Sequence, residues 1–224
     1  MIKIYGNVFP KPDRNMHRIA EHRAALGMLA KGLQEIYGLE YSQDNLQKQI
    51  QVKEGGKPFL KDHPEISFNI SHSREIAVCA FSDRDIGVDI EKIVPVRESL
   101  VNRVLHEKEK RVLQGLTADR IDNNSDITAR DLLFFRYWTL KEGYLKMTGT
   151  GLRTEPRELL FFVNPANWDR PVFAQDEDLF CFQKMIENTY VLSLCTDSGT
   201  VSGKGKEYVS IELFKKDEFD TIII

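Results

Sequence analysis

The chain has 224 residues, with 31 Lys and Arg against 34 Asp and Glu for a formal net charge of −3, and it is 42% hydrophobic. That apolar content is globular rather than disordered, and the near-balanced charge argues against nucleic-acid binding, which needs a clearly basic face. No apolar run approaches the ~18 residues of a membrane span, the first residues read as a strand rather than a leader, and Cys79, Cys181 and Cys195 show no C-x-x-C spacing, so a cytoplasmic chain without disulfides, zinc ribbon or membrane partner is expected.

In chain order, residues 1–9 alternate as a strand. Asp13 to Tyr37 carry Ile19, Leu26, Leu29, Leu33 and Ile36 at near-helical spacing and stop at Gly38. A polar stretch then leads through Ile50-Gln51-Val52 into the turn Gly55-Gly56-Lys57-Pro58. Ile66–Ile70 and Ile76–Phe81 read as paired strands around a polar turn, and Ile86–Ile90 as another strand. A helical segment is expected from Glu98 to Leu113, an exposed loop over Thr117–Ala129, and a second long helix from Asp131 to Met147, ended by Gly149-Thr150-Gly151. Glu158–Val163, Leu179–Glu187 and Tyr190–Thr196 follow as strands. Ile76–Asp83 and Tyr190–Asp197 match in their apolar and small pattern and in a terminal Ser/Thr-Asp. This weak internal echo permits two similar halves joined near residue 86.

Three constellations carry chemistry. In Ile86-Gly87-Val88-Asp89-Ile90-Glu91, positions i and i+2 of a strand share a face, so Asp89 and Glu91 point together while Val88 and Ile90 enter the core. Paired carboxylates repel, and an oxygen-seeking divalent cation offsets that repulsion; a solvated strand face gives the same pattern. In Trp138-Thr139-Leu140-Lys141-Glu142-Gly143-Tyr144-Leu145-Lys146, Glu142 and Lys146 sit one helical turn apart. They read either as an ordinary surface pair or as a third acid and a cation beside an anionic ligand. In Phe68-Asn69-Ile70-Ser71-His72-Ser73, two hydroxyls and an imidazole end a strand. They can contact a phosphate or simply bond the local backbone, and no G-x-S-x-G elbow supports nucleophilic catalysis.

Taken in order, G-K-P, F-N-I-S-H-S, G-V-D-I-E and W-T-x-K-E-x-x-x-K-x-x-G-x-G-L resemble the Sfp-type 4'-phosphopantetheinyl transferases over about residues 20–165. The resemblance implies an α+β fold with a pseudo-twofold duplication, each half a small, mostly antiparallel sheet packed on a long helix. Residues 1–85 would form the N-terminal half, 86–214 the C-terminal half with the acidic site, and 215–224 an extension. It further implies that Asp89, Glu91 and Glu142 are magnesium ligands and that Arg23, Lys57, Ser71 and His72 contact coenzyme A. Lys141 and Lys146 are placed near its pyrophosphate, Glu142 and Lys146 acting in the reaction as well. Glu109 is placed to take a proton from the acceptor, with Glu107 or a metal-bound water as rivals. Two departures stand out. The basic segment between first strand and first helix is reduced to Val8–Arg14, and Ala24 replaces a hydroxyl residue beside Arg23.

The implied reaction moves phosphopantetheine from coenzyme A to a serine of an apo acyl or peptidyl carrier protein, releasing adenosine 3',5'-bisphosphate, by a monomer. An all-oxygen donor set suits magnesium better than zinc. Val101, Val104 and Leu105 would present an apolar patch to the carrier, or pack inside. The alternatives are a non-catalytic relative that binds coenzyme A or a carrier, and a metal-dependent phosphohydrolase.

Overall fold

A computed structural model describes residues 2–9, 17–116, 127–168, 171–176, 178–197 and 209–215. Its first sheet has the order β11-β1-β5-β4 and its second β6-β10-β9. In the first, β1 (Ile2–Val8) and β4 (Ser67–Ser73) flank β5 (Ile76–Ser82), both antiparallel to it. In the second, β6 (Ile86–Lys92) and β9 (Phe180–Ile186) flank β10 (Tyr190–Thr196), again antiparallel. Both central strands are buried along their whole length, which explains their nearly continuous apolar and small sequences.

The layers follow from the strand period of two. Ile4, Val78 and Ala80 on one face of the first sheet pack against Val88, Ile90, Leu192 and Leu194 of the second. On the other face, Tyr5, Phe68 and Phe81 meet Leu26, Leu29 and Leu33 of α1 (His17–Tyr37). Each fully buried leucine there contributes roughly 1.5–3 kcal/mol, which is why α1 holds its place. The outer face of the second sheet, with Val191 and Cys195, carries α5 (Ala129–Thr148) through Leu133, Leu140 and neighbouring side chains. The result is helix, sheet, sheet, helix. No helix among the described residues is long and apolar enough to cross a membrane.

Several expectations are corrected. The polar stretch before Ile50 contains α2 (Gln43–Gln49), capped by Ser42 and anchored by the buried Leu46; it leads into the small hairpin of β2 (Ile50–Val52) and β3 (Pro58–Leu60). The single helix expected over Glu98–Leu113 is two, α3 (Glu98–Val104) and α4 (Glu107–Gln114). Leu105 is extended, and His106 starts α4 through a capping box in which its ring accepts from the Lys108 N–H while Glu109 accepts from the His106 N–H. That local competition outweighs continuing the helix. Val101, Val104 and Leu105 are 2%, 1% and 1% exposed, so they form core and not an apolar docking patch.

The strand expected at Glu158–Val163 shrinks to β7 (Phe161–Phe162), paired with β8 (Val172–Phe173), because Pro156–Glu158 forms a 3-10 turn. β11 (Val209–Lys215) lies parallel to β1, with Ile211 opposite Ile4. The strand therefore crosses the boundary expected at residue 214 and joins the sheet of the N-terminal stretch. Residues 10–14 of the reduced basic segment, 13–16 of the expected first helix, 117–126 of the expected loop and 216–224 of the expected extension lie outside the described residues.

Candidate active site

The acidic strand and the long helix meet through glycine. A Cβ on Gly87 would lie 2.0 Å from the Gly143 carbonyl oxygen and 2.4 Å from the Met147 nitrogen, so only a bare backbone lets β6 approach α5 this closely. This contact carries Glu142 and Lys146 to the face of β6 that holds Asp89 and Glu91. At the far end of α5, Gly149 adopts φ 66° and closes the helix. A Cβ on Gly55 would lie 1.7 Å from the Gly149 carbonyl oxygen. The Gly55-Gly56-Lys57-Pro58 turn is thereby set against the helix C-terminus, where Lys57 Nζ donates to the Met147 carbonyl at 2.8 Å and to Asp85 at 2.6 Å.

Asp89 is the centre of the arrangement and is only 4% exposed. Its Oδ1 accepts from the Ser71 hydroxyl at 2.8 Å and from Lys146 Nζ at 2.7 Å. Its Oδ2 is buried with no hydrogen-bond partner among the described residues, an arrangement that normally demands an explanation such as an ion or water. Beside it, Glu91 accepts from the Ser73 hydroxyl at 2.6 Å. Burial, and then the negative charge of Asp89, push the Glu91 carboxyl above its ordinary range, with Ser73, Lys146 and Trp138 opposing. Burial and Asp89 push Glu142 up in the same way, against Lys146. Glu91 and Glu142 thus both feel the charge of Asp89, and Lys146 acts on each of them in the opposite sense.

Of these groups, Glu142 and Lys146 lie on a cleft of about 370 Å³ whose walls also include Gly55, Lys57, Pro58 and Gly149. One side comes from the turn after β2 and the other from α5. The cleft offers two lysines and one carboxylate, and Lys146 links it to the buried Asp89.

The other expected site residues are placed differently. Among the described residues, no three His, Cys, Asp or Glu side chains gather closely enough to hold a metal ion. Asp89, Glu91 and Glu142 are neighbours but not a ready three-ligand cage: Lys146 and Ser71 hold Asp89, and Ser73 holds Glu91. The unpartnered Asp89 Oδ2 nevertheless fits a hard cation, with Glu91 and Glu142 as the adjacent oxygen donors. Ser71 is buried on Asp89 and the backbone of β6, rather than offered to a nucleotide. His72 is exposed with Nδ1 3.3 Å from Glu21, and Arg23 is exposed on α1; neither lines the cleft.

Glu109 and Lys141 form a separate buried pair at 2.6 Å, 1% and 0% exposed at their side chains. Lys141 also donates to the carbonyls of Val104, Pro156 and Leu159, and Glu109 accepts from the Phe161 and His106 N–H groups. Burial pushes Glu109 up and Lys141 down, their mutual attraction opposing both shifts. With every polar atom committed inside the protein, this pair clamps α4 and the segment before β7 to α5 and reaches no ligand. Glu107, the rival base, is bound to Lys110 on the surface of α4. Sequence reading missed this clamp, the Gly87–Gly143 approach and the role of Ser73. The glycines inside a strand and a helix were the available signal.

Residues 85–195 match the family described as ACPS, the 4'-phosphopantetheinyl transferase superfamily. The 4'-phosphopantetheinyl transferase gsp of Aneurinibacillus migulanus is 35% identical over 177 residues, covering 78% of this chain and 68% of the relative. The 4'-phosphopantetheinyl transferase Sfp of Bacillus subtilis is 32% identical over 142 residues, covering 63% of this chain and 58% of the relative. HetI of Nostoc sp., a 4'-phosphopantetheinyl transferase, is 34% identical over 148 residues, covering 62% and 57%. Against Sfp and HetI, the matched region thus spans less than two thirds of the relative's length. The extent of the gsp match makes this chain a member of the 4'-phosphopantetheinyl transferase superfamily.

Proposed function

We propose that the protein transfers the 4'-phosphopantetheine group of coenzyme A to a serine hydroxyl of an apo acyl or peptidyl carrier protein, releasing adenosine 3',5'-bisphosphate. The observation that carries this reading is Asp89, buried with one oxygen unpartnered, bound through the other to Lys146 on the wall of a cleft. A diphosphate is a chain of negative oxygens, and a nucleophile approaches its phosphorus only when that charge is offset. Lys146 supplies one positive charge at the acidic centre, and Lys57 supplies another on the opposite wall; at an effective dielectric near 20, a unit-charge contact at 4 Å is worth about 4 kcal/mol. Magnesium held by Asp89, Glu91 and Glu142 would supply further charge neutralisation of the diphosphate. Of the proposed acids Glu142 is the one on the cleft wall, whereas Glu109 is enclosed against Lys141, too buried to take the serine proton.

The shared strand order of the two sheets, β1-β5-β4 and β6-β10-β9, each with one long helix outside, supports a duplication of two similar halves. Both walls of the cleft come from one chain, which favours action as a monomer, and three buried free cysteines suit a reducing cytoplasm.

The test is to incubate the protein with coenzyme A, magnesium and an apo carrier and to weigh the carrier by mass spectrometry. A gain of one phosphopantetheine group is expected. An unchanged carrier with bound coenzyme A would leave a binding protein, and free phosphopantetheine without carrier would indicate hydrolysis.

A further inference from the structure

Between the two sheets, β4 and β6 lie side by side without main-chain pairing, and side chains of β4 replace the missing ladder. Asn69 Oδ1 accepts from the Val88 N–H at 3.0 Å, Ser71 Oγ from the Ile90 N–H at 3.3 Å, and Ser73 Oγ from the Lys92 N–H at 3.1 Å. Each acceptor and its donor are 19 residues apart, so the two strands run parallel in a fixed register. The two serines then do the same thing twice. Having accepted a backbone hydrogen from β6, each donates its own: Ser71 to Asp89 Oδ1, and Ser73 to Glu91 Oε2. A hydroxyl has one hydrogen to give, and an N–H bound to its oxygen leaves the carboxylate as the receiver.

We infer that Ser73 is a positioning residue, fixing the Glu91 carboxylate beside Asp89 so that the two acids present oxygens to one divalent cation. The inference rests on the proposed cation-binding role of Asp89, Glu91 and Glu142. Geometry supports a dedicated role over mere closure of the seam. Asn69 meets the demand of a backbone N–H with no acid attached, whereas at both positions where the neighbour on β6 is an acid the β4 residue is a serine that donates to that acid. Charge-assisted hydrogen bonds of this kind orient a ligating group, and their loss typically weakens metal binding by 10–100-fold.

The test is titration of the metal-free protein with manganese alone, read by the loss of free-ion electron paramagnetic resonance signal, with melting temperature recorded in parallel. Ser73→Ala should weaken manganese binding by roughly tenfold, and Ser73→Thr, which keeps the hydroxyl, should restore it. Where Ser73→Ala does not fold, Ser73→Cys keeps the shape with a much weaker donor and should also bind manganese less tightly. If the folded Ala or Cys variant binds manganese as the wild type does, even with a lower melting temperature, Ser73 only closes the seam and the inference is overturned while the cation reading stands. A wild-type protein that takes up no manganese overturns the cation reading, and the inference with it.

Discussion

Helix α5 carries two lysines five residues apart, and each reaches a carboxylate on another element at nearly the same distance: Lys141 to Glu109 at 2.6 Å and Lys146 to Asp89 at 2.7 Å. The pairs differ in what surrounds them. Lys141 is fully buried, and three carbonyls share the two hydrogens that Glu109 leaves, while Lys146, which also donates to the Ser71 hydroxyl and the Val88 carbonyl, is 28% exposed at its side chain and lines the cleft. Asp89 keeps an oxygen without a partner, whereas both oxygens of Glu109 are engaged. The same two residue types on one helix therefore make a structural clamp in one place and a site with unused valence in the other. Saturation of hydrogen-bonding capacity separates them.

The largest effect should come from breaking the clamp. Glu109→Ala or Lys141→Ala leaves a buried unpaired charge and should destabilise the fold by about 3–5 kcal/mol in chemical denaturation, while the double variant Glu109→Leu/Lys141→Met should recover much of that loss. A single variant with wild-type stability would mean that the pair is not what holds α4 to α5.

Next in size is the glycine contact. Gly87→Ala places a Cβ against the Gly143 carbonyl and should destabilise the protein by about 1–3 kcal/mol, and it should also lower transfer activity in the molecules that remain folded. Activity that merely tracks the folded fraction would show that the spacing of β6 and α5 does not matter to the site.

On the cleft side, Asp89→Ala should keep the fold but reduce transfer to a carrier by about tenfold or more, equivalent to ~1.4 kcal/mol in the barrier. Unchanged turnover would remove Asp89 from the reaction and erase the contrast with Glu109.

The smallest effect is a pH dependence. Because the Glu142 carboxyl is raised above its ordinary value of 4.5 in the folded protein, the folded state binds more protons there than the unfolded state does. Stability from this group is therefore lost as pH rises from about 4.5 through the raised value. In metal-free buffer, Glu142→Gln should melt above the wild type at pH 8, by about 2–4 °C for each kcal/mol of repulsion relieved, and the two curves should converge below pH 4.5. Parallel curves across the whole range would show that Glu142 is not held near Asp89's charge.

Much of this was legible before any coordinates. The period-two runs gave β5 and β10 nearly to the residue, and the 3.6 period gave α1 and α5, since burial of one face writes itself directly into spacing; β4 and β6 were found but end at Ser73 and Lys92, past the expected Ile70 and Ile90, because their polar ends are held by hydrogen bonds between the strands. The D-x-E pair and the K-E-x-x-x-K pattern pointed to Asp89, Glu91, Glu142 and Lys146, and the structure brings those four into one neighbourhood. Short elements were less legible. α2 and the break between α3 and α4 are decided by caps at Ser42 and His106, each a matter of one or two hydrogen bonds. β11 was missed because its place depends on a partner strand more than 200 residues away in sequence.

The amino-acid sequence alone determined which residues carry charge and which faces must be buried, because residue type and periodicity are local properties. It left Lys141 and Lys146 equivalent, Glu109 available as a base, and Val101, Val104 and Leu105 open as a docking patch. Only the tertiary structure decided these, by closing Glu109 and Lys141 against each other, burying the three apolar residues and leaving Asp89 one oxygen short. Solvent exclusion and hydrogen-bond completeness depend on every element packed around a group, and no spacing within one strand or helix records them.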